Sequence, residues 1–194
     1  MKPRWSRRRL VKTALAGGAG LTLAGLGRSQ ASPLADPAVA GAVSEPEYTL
    51  ELYNTHTHET VKVVFKRGGK YDDAALAKLD HVLRDRRNGQ QRSMDPRLYD
   101  QLAALAAAAG REPSYEIISG YRSPESNAKM ATPGSGVAKK SLHMEGRAID
   151  VRLKGYSTAD LRDLAIKAEK GGVGYYQRSD FVHIDTGRFR TWIG

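Results

Sequence analysis

His143, Asp150 and His183 are the residues whose types and spacing point most directly to chemistry. The first two lie in Ser141-Leu-His-Met-Glu-Gly-Arg-Ala-Ile-Asp150, with Gly146 between them and the apolar pair Ala148-Ile149 leading into the carboxylate. His183 follows in the short run Asp180-Phe-Val-His183. Two imidazoles and one carboxylate suffice to hold a catalytic zinc ion that keeps a fourth position for water. Taken singly, the three read as a loop histidine, a strand-end carboxylate and a packed histidine. Linked in one pattern, they read as the centre of a zinc hydrolase.

The elements that must position them follow from periodicity and turn residues. Residues 47–65 alternate in two runs separated by the polar stretch 54–60, which predicts a β-hairpin. Residues 72–88 place Ala75, Leu76, Leu79, Val82 and Leu83 on one helical face, with Gly89 as a stop. Asp95-Pro96 is an N-cap followed by proline at the first helical position, opening a helix that runs through Ala109 to Gly110. A short strand over 115–119 turns through Gly120-Tyr121-Arg122-Ser123-Pro124 toward a short helix. A loop over 131–140, holding Pro133, Gly134 and Gly136, leads into the His143 motif. Residues 147–153 read as a strand, and a helix from Ser157 to about Lys170 stops at Gly171-Gly172. Two final antiparallel strands are expected at 173–176 and 181–185. The fold class expected is α+β, with a small antiparallel sheet carrying the zinc site and packed against helices. Gly146 lets the chain turn so that His143 and Asp150 converge. Strand alternation points His183, Asp185 and Phe181 the same way.

The N-terminal residues read differently. Ser6-Arg7-Arg8-Arg9-Leu10-Val11-Lys12 carries paired arginines, and a mildly apolar run over 13–26 follows, too short and too weakly hydrophobic for a membrane span. Ser29-Gln30-Ala31 then offers small residues for cleavage. Residues 1–31 are therefore expected to be a twin-arginine export signal, 32–46 a flexible linker rich in Ala, Pro and Gly, and 47–194 the folded domain that carries the zinc site. The whole chain has 31 Lys and Arg against 21 Asp and Glu, but seven of the basic residues and none of the acids fall in the signal. That leaves 24 against 21, a net +3, and removes the main support for nucleic-acid binding. The chain has no cysteine, so neither disulfides nor a lipid-modified cysteine is available. A monomer with no stable membrane anchor after signal cleavage is expected, acting in the periplasm or another extracytoplasmic space.

The pattern Ser141-x-His143-x-x-Gly146-x-Ala148-x-Asp150, with a late histidine preceded by an acid, resembles the LAS zinc peptidases. That family includes D-alanyl-D-alanine carboxypeptidases and dipeptidases, phage endolysin peptidases, murein endopeptidases and the hedgehog signalling domain. The end of the chain, Gly172-Val-Gly-Tyr-Tyr176 and Phe181-Val-His-Ile-Asp-Thr-Gly187, is similar to an exported branch that includes a murein endopeptidase. The resemblance spans about residues 47–194 and implies that His143, Asp150 and His183 bind Zn2+. It also implies peptidoglycan peptides as substrate, cut by metal-activated water at a cross-link. Asp180 occupies the position of the water-activating acid, one methylene shorter than the glutamate of some relatives. Asp185, on the same strand face as His183, is the competing base or an orienting group. Spacing favours Asp180. Arg122 matches a segment that supplies a substrate-facing arginine, and a structural salt bridge is its other reading. Two further functions stay open: a D,D-carboxypeptidase or dipeptidase, and a non-catalytic zinc-containing module that binds cell wall or protein.

Overall fold

A computed structural model describes residues 45–132 and 138–194. The signal, most of the linker and the middle of the 131–140 loop lie outside the described residues. In chain order the strands are β1 (Glu47–Asn54), β2 (Thr60–Arg67), β3 (Lys70–Tyr71), β4 (Ser114–Ser119), β5 (Ala148–Leu153), β6 (Gly172–Tyr176), β7 (Phe181–Asp185) and β8 (Arg190–Ile193). The helices are α1 (Asp73–Val82), α2 (Pro96–Ala108), α3 (Pro124–Met130) and α4 (Thr158–Ala168), with one 3-10 turn at Leu142–Glu145. Among the described residues no helix is long and apolar enough to cross a membrane.

The α+β class holds, but the expected small antiparallel sheet does not. All eight strands join one sheet in the order β3-β2-β1-β4-β5-β7-β6-β8. Two of its pairings, β1 with β4 and β6 with β8, are parallel. A parallel pair needs a long connection, and the chain between β2 and β4 supplies one in α1 and α2. The hairpin therefore docks beside β4 and extends the sheet. The edge strand β8 has only four residues and escaped the periodicity reading.

Alternation divides the two faces of the central strands. Ile149, Val151 and Leu153 on β5, and Val182 and Ile184 on β7, join the apolar core with Leu79, Leu98, Leu102 and Leu161 of the helices. Asp150, His183 and Asp185 consequently point to the other face. The core fixes the site by occupying the opposite side of the same strands.

Helix starts agree with their capping residues. Asp72, Asp95, Ser123 and Ser157 each accept a backbone N–H from the first turn of the helix they cap. Two ends differ from expectation. α1 stops at Val82 rather than near Asn88, because the Leu83 carbonyl accepts from Tyr121 N (2.7 Å) and Asp85 is withdrawn into the interior. α4 ends on Glu169 in the left-handed region (φ 52°), one turn position before the glycines expected to stop it.

Asp95 does more than cap α2. Its carboxylate pairs with Arg97 (2.6 Å) and accepts from Thr186 Oγ1 (2.7 Å), which ties α2 to the residue after β7. Burial opposes ionisation there, yet these hydrogen bonds outweigh it and lower the pKa from 3.8 to about 2. A depressed carboxylate stabilises the fold above its unfolded pKa, and that contribution is lost as pH falls through the folded value. Asp95→Asn keeps a capping side chain but removes the charge. The melting-temperature gap between wild type and Asp95→Asn should therefore be widest above pH 3.8 and should shrink toward pH 2, as followed by circular dichroism. An equal gap at both ends would show that the charge contributes nothing.

Candidate metal centre

β5 and β7 pair so that Asp150 lies directly opposite His183. The 3-10 turn before β5 brings His143 to the same point, and Gly146 closes that turn with φ 70°. The left-handed backbone there excludes most side chains, and a Cβ would also lie 2.6 Å from the Ser93 carbonyl oxygen. His143, Asp150 and His183 are all buried.

Their ligand atoms converge. His143 Nε2 and His183 Nδ1 are 3.2 Å apart, His143 Nε2 and Asp150 Oδ1 3.3 Å, and His183 Nδ1 and Asp150 Oδ1 2.9 Å. Ligands at 2.0–2.1 Å from a tetrahedral zinc would be separated by about 3.3 Å. The three side chains fit such an ion as they stand.

The far side of each ring fixes which nitrogen faces inward. His143 Nδ1 lies 2.7 Å from the Gly120 carbonyl oxygen, which can only accept, so that nitrogen carries the proton. His183 Nε2 lies 3.1 Å from Asp185 Oδ2 and donates likewise. In the neutral rings, two lone pairs and a carboxylate therefore face one another in a buried space, an arrangement that calls for a cation. The electrostatics carry the same demand. Burial works against charge on His183, but hydrogen bonds to Asp150 and Asp185 raise its pKa to about 9. Asp150, despite its burial, is held well below the usual carboxylate range by His143 and His183.

The remaining predicted residues are placed unequally. Asp185 is fully buried and touches the triad through His183. Its Oδ1 accepts from Gly172 N and Gly187 N (both 2.8 Å), and Arg190 Nη2 lies 2.6 Å from Oδ2. Burial opposes ionisation, but these partners hold it far below the usual range. Asp180 sits in the turn before β7 with φ 50°. Its carboxylate accepts from Thr158 Oγ1 (2.6 Å) and faces Arg152 Nε (3.4 Å); none of its polar contacts among the described residues is with the triad.

Arg122 is buried, with Nη1 3.3 Å from Asn127 Oδ1 and Nη2 3.5 Å from Ser119 Oγ. Among the described residues its Nε has no hydrogen-bond partner and no carboxylate forms an ion pair with it. Burial lowers its pKa, the Asp150 charge opposes that, and Arg87 adds to it. The salt-bridge reading of Arg122 thus finds no partner. Backbone bonds join this segment to the triad: Arg122 N donates to the His143 carbonyl (3.2 Å), and Ser123 N donates to buried Asp85 (2.9 Å). Gly120 and Asp85 were not singled out in sequence, since a backbone acceptor carries no side-chain signature and Asp85 lies in a charged run.

A family model described as Peptidoglycan L,D-endopeptidase MepK matches residues 42–192. The protein named peptidoglycan L,D-endopeptidase MepK from Escherichia coli (strain K12) is 43% identical over 162 residues, which cover 84% of this chain and 89% of that protein. A probable peptidoglycan L,D-endopeptidase MepK from Haemophilus influenzae is 39% identical over 158 residues, 80% of this chain and 85% of that protein. No solved structure matches the chain. The class defined by fold, buried triad and likeness is that of a metallopeptidase. The chain belongs to the MepK peptidase family.

Gly146→Ala tests the turn that delivers His143. It should cost at least about 1 kcal/mol from the left-handed backbone alone, read as a lower urea midpoint. An unchanged midpoint would mean that the turn tolerates a side chain.

Proposed function

We propose that this chain is a zinc-dependent murein endopeptidase that hydrolyses peptide cross-links of peptidoglycan, of the L,D type named for its relatives. The observation that carries the reading is the buried triad, whose three ligand atoms lie 2.9–3.3 Å from one another. Zinc bound there would lower the pKa of a water toward 7 and polarise the scissile carbonyl.

The chain's own groups would do the rest. His143 Nε2, His183 Nδ1 and Asp150 Oδ1 hold the ion, and Asp150 offsets part of its charge. Asp185 keeps the proton on His183 Nε2; with its oxygens already engaged by Arg190 and two backbone N–H groups, it is unsuited to take another. Asp180 is the proposed proton acceptor, on its place three residues before His183. It must leave the Thr158 hydroxyl to act, and the same carboxylate then returns the proton to the leaving amine. Arg122, buried close enough to feel the Asp150 charge, is the proposed guanidinium for a substrate carboxylate or the developing oxyanion.

Peptidoglycan lies outside the cytoplasm, which accords with residues 1–31 as a twin-arginine signal, 32–46 as a linker, and action in the periplasm. A D,D-carboxypeptidase and a purely binding module remain the outcomes to test against.

The test is digestion of L,D-cross-linked peptidoglycan by the zinc-loaded protein, with metal content measured alongside. Wild type should hold one zinc and release monomeric muropeptides; His183→Ala should lose both properties. Asp180→Asn should keep its zinc and lose about 100-fold or more in turnover. Zinc without cleavage in wild type would favour the binding module, and full turnover in Asp180→Asn would remove Asp180 as the base.

A further inference from the structure

The C-terminal strand reaches the metal triad across its neighbour. β8 pairs in parallel with β6 so that Arg190 lies beside Gly172 and Trp192 beside Gly174. A side chain on either glycine would collide with the arginine, with Asp185 or with the indole. The two missing side chains open a passage over β6, and both β8 residues use it to contact β7.

Arg190 takes Asp185 in a fork, with Nη2 2.6 Å from Oδ2 and Nη1 3.2 Å from Oδ1. Asp185 Oδ2 in turn receives His183 Nε2 at 3.1 Å. Trp192 lies beside the His183 ring, centroids 5.0 Å apart, the same separation as between the His183 and His143 rings. The indole is itself held: its Nε1 donates to Tyr176 Oη (3.1 Å), and the Arg190 guanidinium sits 5.0 Å from its ring centre.

We propose that β8 is the positioning element of His183, with Arg190 acting through Asp185 to fix the ring's orientation and protonated nitrogen, and Trp192 walling its outer side. The inference rests on the triad being the zinc site proposed above. Its physical basis is directional. A guanidinium fork sets both the position and the plane of a carboxylate, which a point charge cannot do. Asp185 is fully buried, so without Arg190 its charge loses its only cationic side-chain partner among the described residues apart from His183. Oδ1 stays on Gly172 N and Gly187 N, but Oδ2, the oxygen that meets His183, loses the guanidinium that fixes its place, and this loosens the aim of Nδ1 at His143 Nε2 and Asp150 Oδ1. Groups that orient a metal-binding histidine through its second nitrogen typically contribute 10–100-fold in metal affinity. Arg190 and Trp192 are positioning residues and need not touch substrate.

The chain has two tryptophans, Trp5 and Trp192, so Trp5→Phe in the full chain makes Trp192 the sole indole. Zinc affinity of this parent is measured by competition with a chromophoric chelator, and Trp192 emission is followed in the same titration. The parent should bind one zinc with a saturable change in emission. Adding Arg190→Gln should weaken binding about 10-fold or more with an unchanged far-ultraviolet dichroism spectrum. Arg190→Lys, which keeps charge without the fork, should fall between the two. Affinity within about twofold of the parent in Arg190→Gln would overturn the inference, because a merely structural arginine would shift melting and leave affinity alone. If Arg190→Gln fails to fold, Arg190→Lys decides: parent-like affinity overturns the fork as the device. A parent that binds no zinc defeats the metal reading itself, a result distinct from equal binding by parent and variant.

Discussion

Opposition of Asp150 and His183 across the β5–β7 pair is the constraint on which the site depends. Strand pairing fixes their backbones, and the apolar side chains between them, Val151 and Val182 among others, fix which face they share by filling the core behind. A slip of one residue in either strand would turn its Asp150 or His183 toward the helices. The register continues sideways: Ser119 lies beside Asp150, Gly174 beside His183 and Trp192 beside Gly174. One transverse row on five strands thus runs from the neighbourhood of Arg122 to β8, with Asp150 and His183 near its middle.

Around that row, polar groups hold the convergence in place. The Gly120 carbonyl holds one imidazole from behind and Asp185 holds the other. Asp85, buried where α1 gives way to loop, accepts Ser123 N and thereby anchors the segment from which Gly120 and Arg122 come. The triad gathers two imidazole nitrogens and a carboxylate oxygen in one buried space. Arg122, in that same anchored segment, is buried, and among the described residues its Nε has no hydrogen-bond partner.

Much of this was legible in the sequence where local chemistry decides. Asp95-Pro96 and Ser157 gave true helix starts because capping is a local hydrogen bond. Alternation and a left-handed glycine, acting over a few residues, set the faces of His143, Asp150 and His183, and the β5–β7 pairing then brings them together. What failed depends on distant partners. The extent of the sheet turns on where the hairpin docks, α1 ends early because Leu83 and Asp85 bind a segment near residue 121, and β8 is too short to show a period. Spacing favours Asp180 over Asp185, but the surroundings that distinguish them come from non-local partners, Thr158 and Arg152 for one and Arg190 for the other.

The most direct measurement of the central claim is zinc K-edge absorption on the zinc-loaded full chain, which counts and types the atoms around the ion. A triad-held ion predicts a four-coordinate shell at about 2.0–2.1 Å with the scattering signature of two imidazoles. A shell of oxygens alone, without imidazole, would contradict it.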